Sequence, residues 1–381
     1  MANRNTAQES PKRQNEQTKQ SQHLITSTIF QSLKDLPTPL DQSQCVLHKH
    51  EILICGGVDK RACYSYHTLK NEYEFICEYP SDVRLWGHCV VKLVDNNNKD
   101  KNQITLLSFG GDENSRHTLV MKYISVWSNI SKKPNNYNQW IPFTDNHNYP
   151  IIIGRDNDNY LGVRAVIGGS NNNLLFITFY PHNISVFDLN TFQFIKHDTL
   201  PTDNSIFLHC FVSRPENGQW QEMTQTNQGK NKQNYEMLLF CKKAGLSIEY
   251  DEDNNTFQFL QLHVCDDIAP FNSHAYVCIN DIILFFGGWN IDNSVTSKSV
   301  NKYAIQENKW MTFQNTLPSP LKNSVAILDE DFNHMHIIGG LDNKRTKVST
   351  HIKTSVRVWD VLQLVIVCVS IYFLITVHFI L

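Results

Sequence analysis

The sequence predicts an all-β fold assembled from repeated four-stranded antiparallel sheets. Three observations predict it. Short apolar runs closed by a glycine pair recur at Ile52–Gly57, Leu106–Gly111, Ile282–Gly288 and His336–Gly340. Aromatic residues seven positions apart recur as Tyr66/Tyr73, Phe187/Phe194, Tyr250/Phe257 and Tyr303/Trp310. A proline-ended segment follows the second aromatic at Tyr79-Pro80, Leu200-Pro201 and Leu317-Pro318. Apolar runs this short, bounded by glycine, read as strands buried on both faces. Each aromatic pair flanks a polar turn, so its members belong to adjoining strands. A period near fifty residues with four strands per unit marks the blades of a β-propeller.

Taken in order, the chain yields six blades: Cys45–Pro80, Gly87–Asp145, Leu161–Pro201, Ile206–Val264, Ser273–Pro318 and Asn323–Val358. Blades three and four lack the glycine pair, and a polar insertion, Arg214–Asn234, interrupts blade four. The first patterned piece, Thr28–Pro39, matches the outer strand of a repeat, yet nothing precedes it to be its own blade. The last repeat lacks an outer strand. The N-terminal strand is therefore expected to complete blade six, which removes two open edges at once. With the four strands of a blade called a to d from the axis outward, a–b and c–d turns share one face. The insertions at 95–102, 129–139 and 214–234 fall there, and the turns after the glycine pairs fall on the other.

On these residues the chain resembles the kelch-repeat family of β-propellers over roughly residues 28 to 358. That resemblance implies a protein-interaction module that receives peptides of its partners on the turn-bearing face. Galactose oxidase shares this kind of propeller, but its copper ligands cannot be matched to residues here.

Composition agrees with a large folded unit. The 381 residues are 41% hydrophobic and 11% aromatic, and the net charge of −3 gives no bulk attraction to nucleic acid. Several of the ten cysteines (Cys55, Cys210, Cys241, Cys278) fall inside expected strands and read as buried free thiols in a reducing compartment. Residues 1–27 are polar and lack the apolar core of a signal peptide. They leave no room for a BTB-type or F-box-like segment, so a ubiquitin-ligase adaptor role is expected to need a separate subunit.

Residues 361–381 differ in kind, with no Lys, Arg, Asp or Glu. A helix here spans about 31 Å, enough to cross a bilayer core. The preceding Lys344, Arg345, Lys347, Lys353 and Arg357 orient such an anchor with the propeller in the cytosol. A buried β-rich tail or a mistranslated end of the gene is the rival reading. If the anchor holds, Lys99, Lys101, Lys132, Lys133, Lys230 and Lys232 of the insertions face anionic headgroups.

Searching for chemistry returns little. No phosphate-cradling loop or nucleophile elbow is present. Counted from Asp251, Thr256 and Leu262 stand where a calcium loop needs Gly and Glu. His48/His50 and His334/His336 lack partners at metal-ligand spacing. No cofactor, metal or catalytic residue is expected. The turns after three glycine pairs do carry an acid and then an arginine: Asp59/Arg61, Asp112/Arg116 and Asp342/Arg345, with Lys344 beside the last. Blades six, one and two adjoin around a ring, so these guanidinium forks suit an acidic or phosphorylated peptide, with Trp289 adding an aromatic contact. Ordinary solvated turn residues are the alternative. The expected function is a non-catalytic scaffold; the rival is an enzyme using the central channel.

Overall fold

The computed structural model describes residues 29–94, 102–128, 136–214 and 234–359. The polar arm, the apolar segment 361–381 and most of the three insertions lie outside these residues. Among the described residues, no helix is long and apolar enough to cross a membrane.

Six four-stranded antiparallel sheets account for the architecture. Blade one holds β2 (Gln44–His48), β3 (Glu51–Gly57), β4 (Lys60–His67) and β5 (Glu72–Glu78). Blade two holds β6 (Cys89–Leu93), β7 (Gln103–Gly110), β8 (His117–Ile124) and β9 (Ile141–Pro142). Blade three is β10 (Asn159–Gly168), β11 (Leu174–Tyr180), β12 (Asn183–Asp188) and β13 (Gln193–Thr199). Blade four is β14 (Cys210–Ser213), β15 (Asn234–Cys241), β16 (Ala244–Asp251) and β17 (Thr256–Gln261). In blade five, a small hairpin of β20 (Trp289–Asn290) and β21 (Val295–Thr296) interrupts the order β18 (Ala275–Ile279), β19 (Ile282–Phe286), β22 (Val300–Ala304) and β23 (Lys309–Thr312). Blade six joins β24 (Val325–Leu328), β25 (His334–Ile338) and β26 (His351–Ser355) to β1 (Phe30–Ser32).

That last sheet is the closure expected from the sequence. Phe30 pairs with Thr354 and Ser32 with Ile352 across antiparallel strands from opposite ends of the chain. Innermost strands touch in ring order, β2 with β6, β6 with β10, β10 with β14, β18 with β24 and β24 with β2. The core is accordingly six separate clusters, each filling the cleft between consecutive blades. A sheet apolar on both faces cannot stand alone in water, and here each blade covers the next.

The repeated residues have repeated jobs. All four aromatic pairs are direct cross-strand partners. Their ring centroids lie 4.9–5.1 Å apart, within contact range for aromatic pairs. Where the first member is tyrosine, its hydroxyl donates to an asparagine five residues on: Tyr66 to Asn71, Tyr250 to Asn255 and Tyr303 to Asn308, at 2.8–2.9 Å. Those asparagines sit at φ 50–55°, a left-handed turn position that asparagine tolerates. In blade three, Phe187 has no hydroxyl, and Phe192 occupies the turn instead.

The glycine pairs lie where a b–c turn presses on the connection between blades. A Cβ on Gly287 would stand 2.1 Å from the Leu321 carbonyl oxygen, and one on Gly339 2.8 Å from that of Leu40. The amides of Gly288 and Gly340 donate to those same carbonyls at 2.9 and 2.8 Å. The residue before each recurring proline is buried, Tyr79, Leu200 and Leu317 each at 1% exposure, which fixes where the chain leaves a blade. We call the side holding the b–c turns and these connections the crossing face, and its opposite the insertion face.

Closure is sealed by Trp359, fully buried against Phe30, Phe286 and Phe313 at centroid distances of 5.6, 6.0 and 4.9 Å. Its Nε1–H donates to Thr354 Oγ1 at 2.9 Å. Trp359→Ala or Phe30→Ala should each cost ~3–5 kcal/mol, whereas Tyr303→Phe should cost only ~1 kcal/mol. Urea denaturation midpoints compare the three directly.

Candidate binding sites on the crossing face and in the axial channel

The blade-five hairpin aims Trp289 at the connection that leads into blade six. Trp289 is pinned from both sides. It pairs with Thr296 in the hairpin, and it exchanges backbone hydrogen bonds with Asn272 at 2.8 and 3.0 Å. Lys322, on the blade-five-to-six connection, lies with Nζ 3.8 Å from the Trp289 ring centroid. Its backbone is locked to Leu341 by a reciprocal pair of hydrogen bonds, and the residue is 4% exposed. Burial lowers the Lys322 pKa, and the neighbouring Arg345 charge lowers it further, while Asp41 opposes both. An aromatic face is a favourable seat for a cation so confined.

Arg345 stands exposed beside this pair. Asp342 holds its turn by accepting the amides of Lys344 and Thr346, both at 2.8 Å. Arg345 itself occupies φ 63°, and its Nη2 reaches Ser294 Oγ at 3.4 Å. Among the described residues, neither Arg345 nor Lys344 has a carboxylate within ion-pair distance.

The other two forks are engaged elsewhere. Arg61 lies 3.4 Å from Glu78 and donates to the Tyr79 carbonyl at 3.3 Å. Arg116 donates to the carbonyls of Gly154 and Asp156 at 3.0 and 2.6 Å, fastening its turn to the connection between blades two and three. The acid that precedes Arg61 is held by Lys347, whose Nζ reaches Asp59 Oδ2 at 3.2 Å and the Val58 carbonyl at 2.6 Å. The structure thus brings Trp289, Arg345 and Lys344 to one rim, adds Lys322, and draws Arg61 and Arg116 to their own connections. Lys322 carries no local sequence signal, because it lies in the connection that the turns after the glycine pairs cover and not in one of those turns.

Among the described residues, six of the twelve exposed large apolar side chains lie on the same face. Trp86, Tyr149 and Ile152 belong to connections, Tyr180 ends a b strand, and Ile291 and Val295 belong to the blade-five hairpin; all are 45–70% exposed. Spread around a rim, such residues are usual anchors for a protein partner.

A second site lies on the axis. Every blade has a residue with positive φ just before its innermost strand or, for Gly162 in β10, near the start of it: Gln42, Gly87, Gly162, Leu208, Ser273 and Asn323, at 47–70°. This left-handed step turns the chain from a radial connection into an axial strand. Residues from all six blades there line a cavity of about 200 Å³. Arg164, on β10, is its one charged lining residue. The Thr178 hydroxyl donates to the Arg164 carbonyl at 3.3 Å and lies 2.7 Å from His209 Nε2, which fixes that stretch of strand. The sequence signal of Arg164 is a lone arginine inside an innermost strand, away from the turns.

Histidines follow the entry residues in three blades, as His88, His209 and His274. Burial drives His88 and His274 down to about 3, and His209 well below the ordinary 6.5. Two further buried imidazoles, His117 and His336, fall to about 4. His336 belongs to a chain with His351 and Tyr73 across the six–one cleft.

Together these features define a six-bladed β-propeller with a cationic and aromatic rim and a polar axial channel. No protein-family model matches the chain, and no curated protein matches it. Among solved structures it is similar to one described as "Structure of YjhT". The two are 12% identical at a TM-score of 0.56, and the match covers 84% of this chain and 95% of that one. At that identity the likeness shows the fold alone.

The neutral histidines set a pH dependence. The unfolded chain takes up these protons first, near pH 6.5. Stability is therefore whole above pH 6.5 and is lost as pH falls toward 4, at ~1.4 kcal/mol per pH unit for each histidine held neutral. Urea melts at pH 7.5, 6 and 5 should show this loss. His117→Gln and His336→Gln should each flatten it by about one proton.

Proposed function

We propose that this chain is a divergent kelch-type propeller, a non-catalytic interaction module that receives an acidic or phosphorylated segment of a partner protein on its crossing face. The observation that carries this reading is the patch of Trp289, Lys322, Lys344 and Arg345. Two of its cations are exposed and unmatched by a carboxylate, and a third is stacked on an aromatic ring. A guanidinium fork offers paired donors to carboxylate or phosphate, and the ring supplies contact area at low entropic cost. The apolar side chains on the same face supply further anchors. The kelch assignment rests on the repeated glycine, aromatic and proline positions.

Residues 361–381, from their composition, are proposed to anchor the propeller to a membrane from the cytosolic side. Strand β26 runs toward the insertion face, which puts the crossing face away from the bilayer and open to partners. Alkaline extraction checks this: the full-length protein should stay with the membrane pellet, and its recovery in the supernatant would rule the anchor out.

The rim reading is tested by fluorescence polarisation with a glutamate-rich peptide and its phosphoserine counterpart. Charge reversal of Lys344 and Arg345 together, or Trp289→Ala, should weaken binding on the order of tenfold or more. Arg116→Ala should change it little. Binding should also fall with added salt. Equal affinity in the charge-reversed variant would refute the assignment.

A further inference from the structure

The axial cavity has a composition that the rim reading does not use. Its charged lining residue, Arg164, projects from β10 of blade three, and its charge reaches well beyond its own blade. Burial is the main cause that keeps His88 in blade two and His209 in blade four neutral, and the Arg164 charge adds to it in both; burial also raises Tyr276 in blade five, where Arg164 opposes it. No carboxylate lines the cavity, and among the described residues none lies within ion-pair distance of the guanidinium. Its polar contact is short and local, Nη1 to the Val163 carbonyl at 2.7 Å. Arg164 is half-buried, and a guanidinium on a cavity wall with no opposite charge beside it is a ready partner for an anion.

The rest of the lining is neutral, and Gln42, Gln44, Asn323 and Ser324 are among its polar residues. The remaining wall is small and apolar, with Val90, Ala165, Ala275, Val325 and Ala326 among its members.

We propose that this cavity binds a small organic acid of single negative charge, its carboxylate paired with the Arg164 guanidinium and the rest of the molecule against the neutral wall. One cation among neutral partners matches a monoanion. It leaves the second charge of a phosphate dianion uncompensated. The planar fork of a guanidinium fits a carboxylate edge-on, with two parallel hydrogen bonds. A cavity of about 200 Å³ is somewhat larger than one that admits benzene. It therefore suits an acid of about three to six carbons, too small for a peptide segment. The site is independent of the rim patch.

Calorimetry and thermal unfolding of the full-length protein test this with lactate and gluconate, their neutral amides, and inorganic phosphate. At least one acid should bind and raise the unfolding temperature, and its amide should not. Arg164→Leu should weaken that binding at least tenfold, Arg164→Lys should weaken it less, and charge reversal at Lys344 and Arg345 should leave it unchanged. If Arg164→Leu fails to fold, the Arg164 Nε–H proton resonance of the native protein decides the matter. It should shift on adding the acid and stay in place with the amide. The proposal is overturned if no acid binds, if acid and amide bind alike, if phosphate outcompetes the acids, or if the Arg164 resonance does not respond. Loss of rim binding with the channel intact would sink only the interaction reading.

Discussion

Every other feature of this protein depends on the packing of one blade's apolar face against the next. A four-stranded sheet with two greasy faces has nowhere to put either of them in water, and a ring of six supplies a neighbour on both sides. That need explains why the core is divided into six clefts. It also explains why the small residues lie at the turns: connections must pass closely over each cleft, and a side chain at Gly287 or Gly339 would strike a backbone carbonyl. The cost of leaving one cleft open is shared by the whole ring, because no blade has an alternative partner.

Function then collects where the ring has no packing to do. The axis is too narrow for sheet-on-sheet contact and too wide to be filled by alanine and valine, so a cavity remains. At the rim, the connections are free to vary because their backbone is already latched by glycine amides and by the buried residue before each proline. The blade-five hairpin is such a variation. It costs the sheet nothing, since β19 and β22 pair across its base, and it delivers Trp289 to Lys322 of the next connection.

The fold was legible because its signals are local. Glycine pairs, aromatic pairs and proline exits sit at fixed spacing within each repeat, and cross-strand pairing converts that spacing directly into contact. The Tyr–Asn spacing of five carries the same kind of information and was there to be read. The closing strand was legible for a different reason, a leftover outer strand at one end matching a missing one at the other. The sites were legible only in part. Trp289, Lys344 and Arg345 lie in turns that the pattern exposes. The grouping of Arg61 and Arg116 with them depended on side-chain direction, and nearby carbonyls and Glu78 redirect both. Arg164, Gln42, Ser324 and His274 meet only because strands distant in sequence converge on one axis, and no spacing along the chain encodes that meeting.

Pairing Phe30 with Thr354 also sets a schedule for biosynthesis. At ~5–20 residues per second, a ribosome needs roughly 15–65 s to travel from one of these partners to the other. Throughout that interval the first blade has no neighbour on one side, and the earliest strand has no sheet to join. The nascent chain must therefore carry an unfinished arc with two sticky flanks until the strand holding Thr354 has been made. A holdase acting on emerging polypeptide would find its substrate at those flanks, and its release would coincide with the arrival of the final strand.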